Sequence, residues 1–113
     1  MLKKEVLRRN DDFASIYKRG KSIGDRYVVL FYRQNGLGYN RTAFLASKKV
    51  GNSVIRNRAK RLMKESYRNC VSTVKTGFDI IVIARNTIIG KKQPEVEKSL
   101  ASALKRADLI DRG

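Results

Sequence analysis

Between Lys48 and Arg68 the sequence places eight bases (Lys48, Lys49, Arg56, Arg58, Lys60, Arg61, Lys64 and Arg68) against a single acid, Glu65. The chemistry open to such a set is phosphate binding. Arginine offers a planar fork that meets two phosphate oxygens at once, and lysine offers a point charge. Arg56, Lys60, Lys64 and Arg68 recur at every fourth position, which stacks them along one side of a helix. Like charges at that spacing repel by about 0.2–0.5 kcal/mol per pair. A face that is merely solvated interleaves acids to relieve the repulsion. Here one acid faces eight bases, so a polyanion is the better explanation. Free N–H groups at the start of such a helix, near Gly51-Asn52-Ser53, add a further place for an anion.

The whole chain points the same way. Its 113 residues include 26 Lys or Arg, 10 Asp or Glu and no His, for a net charge of +16. A field of that sign attracts polyanions, nucleic acid first and anionic membrane second. Hydrophobic residues make up 42%, too many for a disordered basic tail. The lone Cys70 forms no internal disulfide and fits a reducing cytoplasm. With no His and one Cys, the usual zinc sets and the Ser-His and Cys-His nucleophile pairs are excluded. Asp11, Asp12, Glu95 and Glu97 stand where they complement helix dipoles, and Asp25 and Asp79 read as turn and strand-edge residues. No catalytic residue and no metal ligand is therefore expected in the polypeptide. The longest apolar run, Ile80 to Ala84, is too short to cross a bilayer, and no signal segment opens the chain. The expectation is one cytoplasmic domain over residues 1–113.

The elements that position the bases follow from periodicity. Asp11 to Arg19 reads as a short helix capped by Asn10 or Asp11, with Phe13, Ile16 and Tyr17 on one face and Gly20 as a left-handed stop. Arg26 to Arg33 reads as a strand, with Tyr27, Val29 and Phe31 on one side and Val28, Leu30 and Tyr32 on the other. Both sides are apolar, so either both are covered or one is an exposed aromatic platform. Asn35 to Asn40 is a turn, and the strand from Arg41 to about Lys48 is expected to form a hairpin with the first. A helix runs from Ser53 to Cys70. Its apolar arc holds Ile55, Ala59, Leu62, Met63, Ser66 and Cys70, bordered by Arg56 and Tyr67. Those residues suit packing against a sheet, and bulky membrane anchors are missing from them. Cys70 reads as a small buried hydrophobe. Phe78 to Ala84 reads as a central strand covered on both faces. Pro94 opens a last helix whose stripe is Val96, Leu100, Ala103, Leu104 and Ala107. The fold class is α+β, a two-layer α/β sandwich.

Ser47-Lys48-Lys49-Val50-Gly51-Asn52, followed by Val54-Ile55-Arg56-Asn57-Arg58-Ala59-Lys60-Arg61, resembles the signature of the bacterial ribonuclease P protein subunit, with Arg-Asn-Arg at its centre. Asp12-Phe13, Tyr17-Lys18-Arg19-Gly20, Val29-Leu30-Phe31 and Ile80 to Arg85 follow in that family's order, so the resemblance runs from about Leu7 to Leu104. Two departures stand out: Ala43-Phe44-Leu45-Ala46 replaces a stretch that often holds Gly and a β-branched residue, and Tyr17 stands where Phe is frequent. The resemblance implies an αβββαβα order, a mixed central sheet, a short strand near Lys21 to Gly24 and a left-handed βαβ crossover holding the basic helix.

By the same resemblance, the chain is the small protein partner of a large catalytic RNA. The holoenzyme removes the 5′ leader of precursor tRNA by magnesium-dependent hydrolysis. The RNA carries the chemistry, and the protein alone binds no cofactor. Motif matching assigns Lys48, Lys49, Asn52, Arg56, Asn57, Arg58, Lys60, Arg61, Lys64 and Arg68 to the catalytic RNA. Asn57 can donate and accept, so a base-edge contact and an intrahelical role both stay open. Phe13, Tyr17 and Phe31 match the cleft that receives the leader, with Lys18, Arg26 and Arg33 at its edges. The implied partners are the catalytic RNA and precursor tRNA, with no membrane and no obligate protein partner.

Overall fold

The computed structural model describes residues 3–110. Its organising element is β4, Phe78–Ala84, whose β-branched run lets it pack on both faces. Antiparallel β2, Val28–Gln34, pairs along its whole length, from Val28 opposite Ala84 to Gln34 opposite Phe78. Parallel β3, Arg41–Leu45, pairs on the other side, and β1, Lys21–Gly24, flanks β2. The sheet order is therefore β1-β2-β4-β3, four strands and mixed. Helices α1 (Asn10–Arg19), α2 (Ser53–Cys70) and α3 (Gln93–Arg106) complete the αβββαβα order.

The hairpin expected between the second and third strands does not form, because β4 lies between them. The intervening turn closes onto itself, the Leu37 N–H donating to Asn35 Oδ1 at 2.8 Å, and also onto the loop before β4. Asn35 donates its N–H to the Gly77 carbonyl at 2.9 Å. Asn40 donates to the Lys75 carbonyl at 2.8 Å and accepts the Phe78 N–H at 2.9 Å. These bonds hold β2 and β3 apart by the width of one strand. The connection from β3 through α2 to β4 then joins parallel neighbours and must cross one face of the sheet.

That face packs against α2 and α3. Leu30, Ile80 and Val82 meet Met63, Leu100 and Leu104, all essentially without exposure. Each such side chain contributes about 1.5–3 kcal/mol by leaving water. Helix α1 crosses the opposite face, where Ile16 packs with Leu7, Ala43 and Ile81. It covers only part of that face, so the sandwich carries an incomplete outer layer.

Two local expectations change. Helix α1 begins at Asn10 after Arg9, and no side chain caps it; Asp11 and Asp12 lie inside the first turn. Gly20 is extended, with φ −81°, so it is no left-handed stop. A Cβ there would stand 2.5 Å from the Ile16 carbonyl oxygen and 2.7 Å from that of Tyr32. Glycine is required by close backbone approach between α1 and β2. Asp79, read as a strand-edge residue, lies buried in β4 and accepts the Arg41 Nε at 2.8 Å and Nη2 at 2.7 Å.

Candidate nucleic-acid interface

The segment entering α2 is built to display its bases. Ser47 Oγ accepts the Lys49 N–H at 3.3 Å, which curls the chain and leaves Lys48 and Lys49 exposed. Gly51 has φ +153°, and a Cβ there would sit 3.0 Å from three carbons of Ile55. Asn52 then caps the helix, its Oδ1 accepting the Ile55 N–H at 3.0 Å. The expected anion site at this helix start is correspondingly reduced, since Asn52 already satisfies one of the free donors. Asn52 is thus a cap as well as an exposed side chain.

Along α2, Ala59, Met63, Ser66 and Tyr67 turn inward. Ser66 is buried without cost to hydrogen bonding because its hydroxyl donates to the Leu62 carbonyl at 2.7 Å. Arg58, Arg61, Lys64 and Arg68 are exposed, and Arg56 and Lys60 are half-buried. Arg68 pairs with Glu65 at 2.7 Å. Among the described residues, no acid lies within 4.0 Å of the other seven bases. Arg56 lies at the border of the apolar arc, as expected, and its Nε is buried with no hydrogen-bond partner among the described residues. Asn57 is exposed, and its side chain bonds to nothing among the described residues. Ile55, expected within the apolar arc, is 36% exposed.

On the other face of the sheet, Phe13 and Tyr17 stack at 6.5 Å, and Tyr17 meets Phe31 edge-on at 5.0 Å. Tyr17 is 44% exposed, Phe13 and Phe31 are half-buried, and partial burial pushes the Tyr17 phenol pKa upward. The three aromatics therefore form one cleft. Lys18 is exposed beside them. Arg33 lies two residues along β2 from Phe31, but its guanidinium donates to Ser15 of α1 and so is tethered. Arg26 sits exposed in the β1–β2 turn.

The sequence matches the Ribonuclease P family over residues 1–108. The chain belongs to the ribonuclease P protein family. The ribonuclease P protein component of Alkaliphilus oremlandii is 45% identical over 105 residues, covering 93% of this chain and 92% of that protein. That of Clostridium botulinum strain Langeland is 43% identical over 111 residues, covering 97% and 100%. A Staphylococcus aureus RNase P protein mutant with defective mRNA degradation activity superposes with TM-score 0.88 at 34% identity, covering 96% of this chain and 92% of its own. The RNase P protein of Thermotoga maritima superposes with TM-score 0.82 at 35% identity, covering 90% and 96%. Membership implies a place in the ribonuclease P complex, partnership with its RNA and a role in tRNA processing.

Within this ribonuclease P family chain, the sequence reading missed the floor of the aromatic cleft. Val29, Ile83 and Leu45 stand side by side across β2, β4 and β3, on the face that α1 only partly covers, and all three are half-buried. The alternation of Val29 with Phe31 carried the signal, but not which face stays open. The carboxylates are engaged structurally: Asp12 and Asp79 with Arg41, Asp25 with Arg106, and Glu65 with Arg68. Cys70 is half-buried, its thiol donates to the Ser66 carbonyl at 3.3 Å, and burial pushes its pKa up. No helix among the described residues is long and apolar enough to cross a membrane.

Proposed function

We propose that α2 and its entry loop bind the catalytic RNA of ribonuclease P, while the α1 cleft holds the 5′ leader of precursor tRNA. The observation that carries this reading is the row of bases on α2, of which only Arg68 meets an acid among the described residues. Phosphates would neutralise that row and release condensed counterions. Lys48, Lys49, Arg56, Arg58, Lys60, Arg61, Lys64 and Arg68 supply charge, and Asn57 offers an unengaged amide to a sugar or base edge. In the cleft, Phe13, Tyr17 and Phe31 take unpaired bases by stacking, which tolerates any leader sequence. Lys18 is placed for the leader's phosphates, while Arg26 and Arg33 act at its margins.

In this reading the hydrolysis, and the magnesium it needs, belong to the RNA. Among the described carboxylates, Asp12 and Asp79 hold Arg41, and Glu65 holds Arg68. The protein raises affinity for a substrate that still carries its leader. Reconstitution tests this. Precursor tRNA, the cognate ribonuclease P RNA and low magnesium are combined with and without the protein. Leader release stimulated by the protein is expected, and no stimulation with correctly folded RNA overturns the reading. Phe13→Ala adds the residue-level test: affinity for leader-bearing precursor falls while that for mature tRNA holds.

A further inference from the structure

Three charged residues stand in register across the sheet face that α1 crosses. Arg33 of β2 lies opposite Asp79 of β4, and Arg41 of β3 lies opposite Asp79 from the other side. Two residues along each strand, on the same face, comes the row of Phe31, Ile81 and Ala43. Both arginines reach from the sheet to α1. Arg41 Nη1 meets Asp12 Oδ2 at 3.3 Å, and Arg33 donates to the Ser15 hydroxyl.

The Arg41 guanidinium is fixed from the sheet side. Its Nε and Nη2 both donate to Asp79, and Asn35 Nδ2 donates to Asp79 Oδ1 at 3.0 Å. The Asp79 side chain is 8% exposed. A planar fork bound along one edge aims its remaining N–H groups in a set direction. An ion pair buried like this one adds little net stability over apolar side chains of similar volume. What it adds here is direction. Helix α1 is anchored in the core by Ile16, and apolar burial is non-directional. The Asp12 tie, one turn before Ile16, stops the helix from turning about that anchor. Phe13 follows Asp12, and Tyr17 lies one turn further on, so the setting of α1 decides where both rings stand relative to Phe31.

We propose that Arg41, held by Asp79, is a positioning residue for leader binding: through Asp12 it sets α1 over the sheet and so holds the aromatic cleft open at the width a base needs. The proposal rests on the leader reading above. Neither Arg41 nor Asp12 touches RNA in it.

The test uses the reconstituted holoenzyme and the substitution Asp12→Ala, which leaves the Arg41–Asp79 pair intact and Asp11 in the first turn of α1. Removing an acid makes the chain more positive and by itself raises affinity for any RNA. Loss of positioning predicts the opposite sign for one substrate. Affinity for leader-bearing precursor is expected to fall by up to about fivefold, the most that an ion pair this open to water can bias. Affinity for mature tRNA and for the catalytic RNA should not fall. Asp12→Glu keeps the carboxylate and should bind leader more tightly than Asp12→Ala does. Arg41→Lys keeps a charge on Asp79 but loses the fork; it should weaken leader binding, and adding Asp12→Ala to it should cost nothing further. A gain on both substrates, an equal loss on mature tRNA or on the catalytic RNA, equality of Asp12→Glu with Asp12→Ala, or additive losses in the Arg41→Lys background overturns the proposal. Tyr17→Ala serves as the reference. If it discriminates leader from no leader and Asp12→Ala does not, the cleft reading stands and the positioning role falls. If neither discriminates, the cleft reading falls and the positioning role with it.

Discussion

Tyr17 meets Phe31 edge to face, with ring centroids 5.0 Å apart and planes at 88°. The pair joins α1 to β2 and fixes the Tyr17 ring while leaving 44% of the residue exposed. A ring held in place but open to solvent stacks a base without first losing its own freedom. Tyr17→Ala is expected to weaken binding of leader-bearing precursor by about 1–3 kcal/mol and to leave mature tRNA binding unchanged. Tyr17→Phe keeps the ring and should bind nearly as the wild type does. Equilibrium titrations of the two substrates against each variant decide it.

Arg58 is exposed on α2 and meets no acid among the described residues. Arg58→Ala should lower affinity for the catalytic RNA and reduce the slope of log affinity against log salt by about one phosphate. The fold should be untouched, because the residue is exposed. Titrations across a salt series measure both quantities, and an unchanged slope removes Arg58 from the interface.

Gly20 marks the point where the end of α1 crosses β2. A methyl group there would stand 2.5 Å from one carbonyl oxygen and 2.7 Å from another, both on backbone that cannot swing away. Gly20→Ala is expected to cost about 1–3 kcal/mol, the range for forced overpacking. A lowered melting temperature is the readout. Because α1 forms the cleft wall, affinity for the leader should fall with it, while affinity for the catalytic RNA holds.

Asp25 ties the β1–β2 turn to α3. Burial by itself raises its pKa, but the Arg26 N–H, Ser99, Arg106 and Ser102 bond to its charged form and hold it below the ordinary 3.8. Ser99 donates at 2.7 Å and Arg106 at 2.7 Å. With the folded-state pKa the lower of the two, the contribution is complete at neutral pH. It is lost as the pH falls through the unfolded value toward the folded one. Denaturation midpoints measured from about pH 7 to about pH 2 should therefore show an acid limb that Asp25→Asn flattens. Identical limbs for both proteins would refute this role.

The sequence by itself determined the elements whose pattern is locally complete. Helix α2 runs from Ser53 to Cys70 and β4 from Phe78 to Ala84, both as their periodicity requires. The cationic face of α2 was equally legible, because a row of bases at helical spacing has nowhere to turn but outward once Ala59, Met63 and Tyr67 face the sheet. Tertiary structure decided the rest. Val29 and Phe31 look alike to Val28 and Leu30 in sequence, yet one set is buried under α2 and α3 while the other lines a half-open cleft. That choice depends on α1 being too short to cover its face. Strand order was likewise beyond local reading: the turn after β2 looks like a hairpin turn until Asn35 and Asn40 bond to the loop before β4. Gly20 reads as a helix stop until the Tyr32 carbonyl is seen beside it. In each case the deciding contact joins residues distant in sequence, and such contacts exist only once the chain has folded.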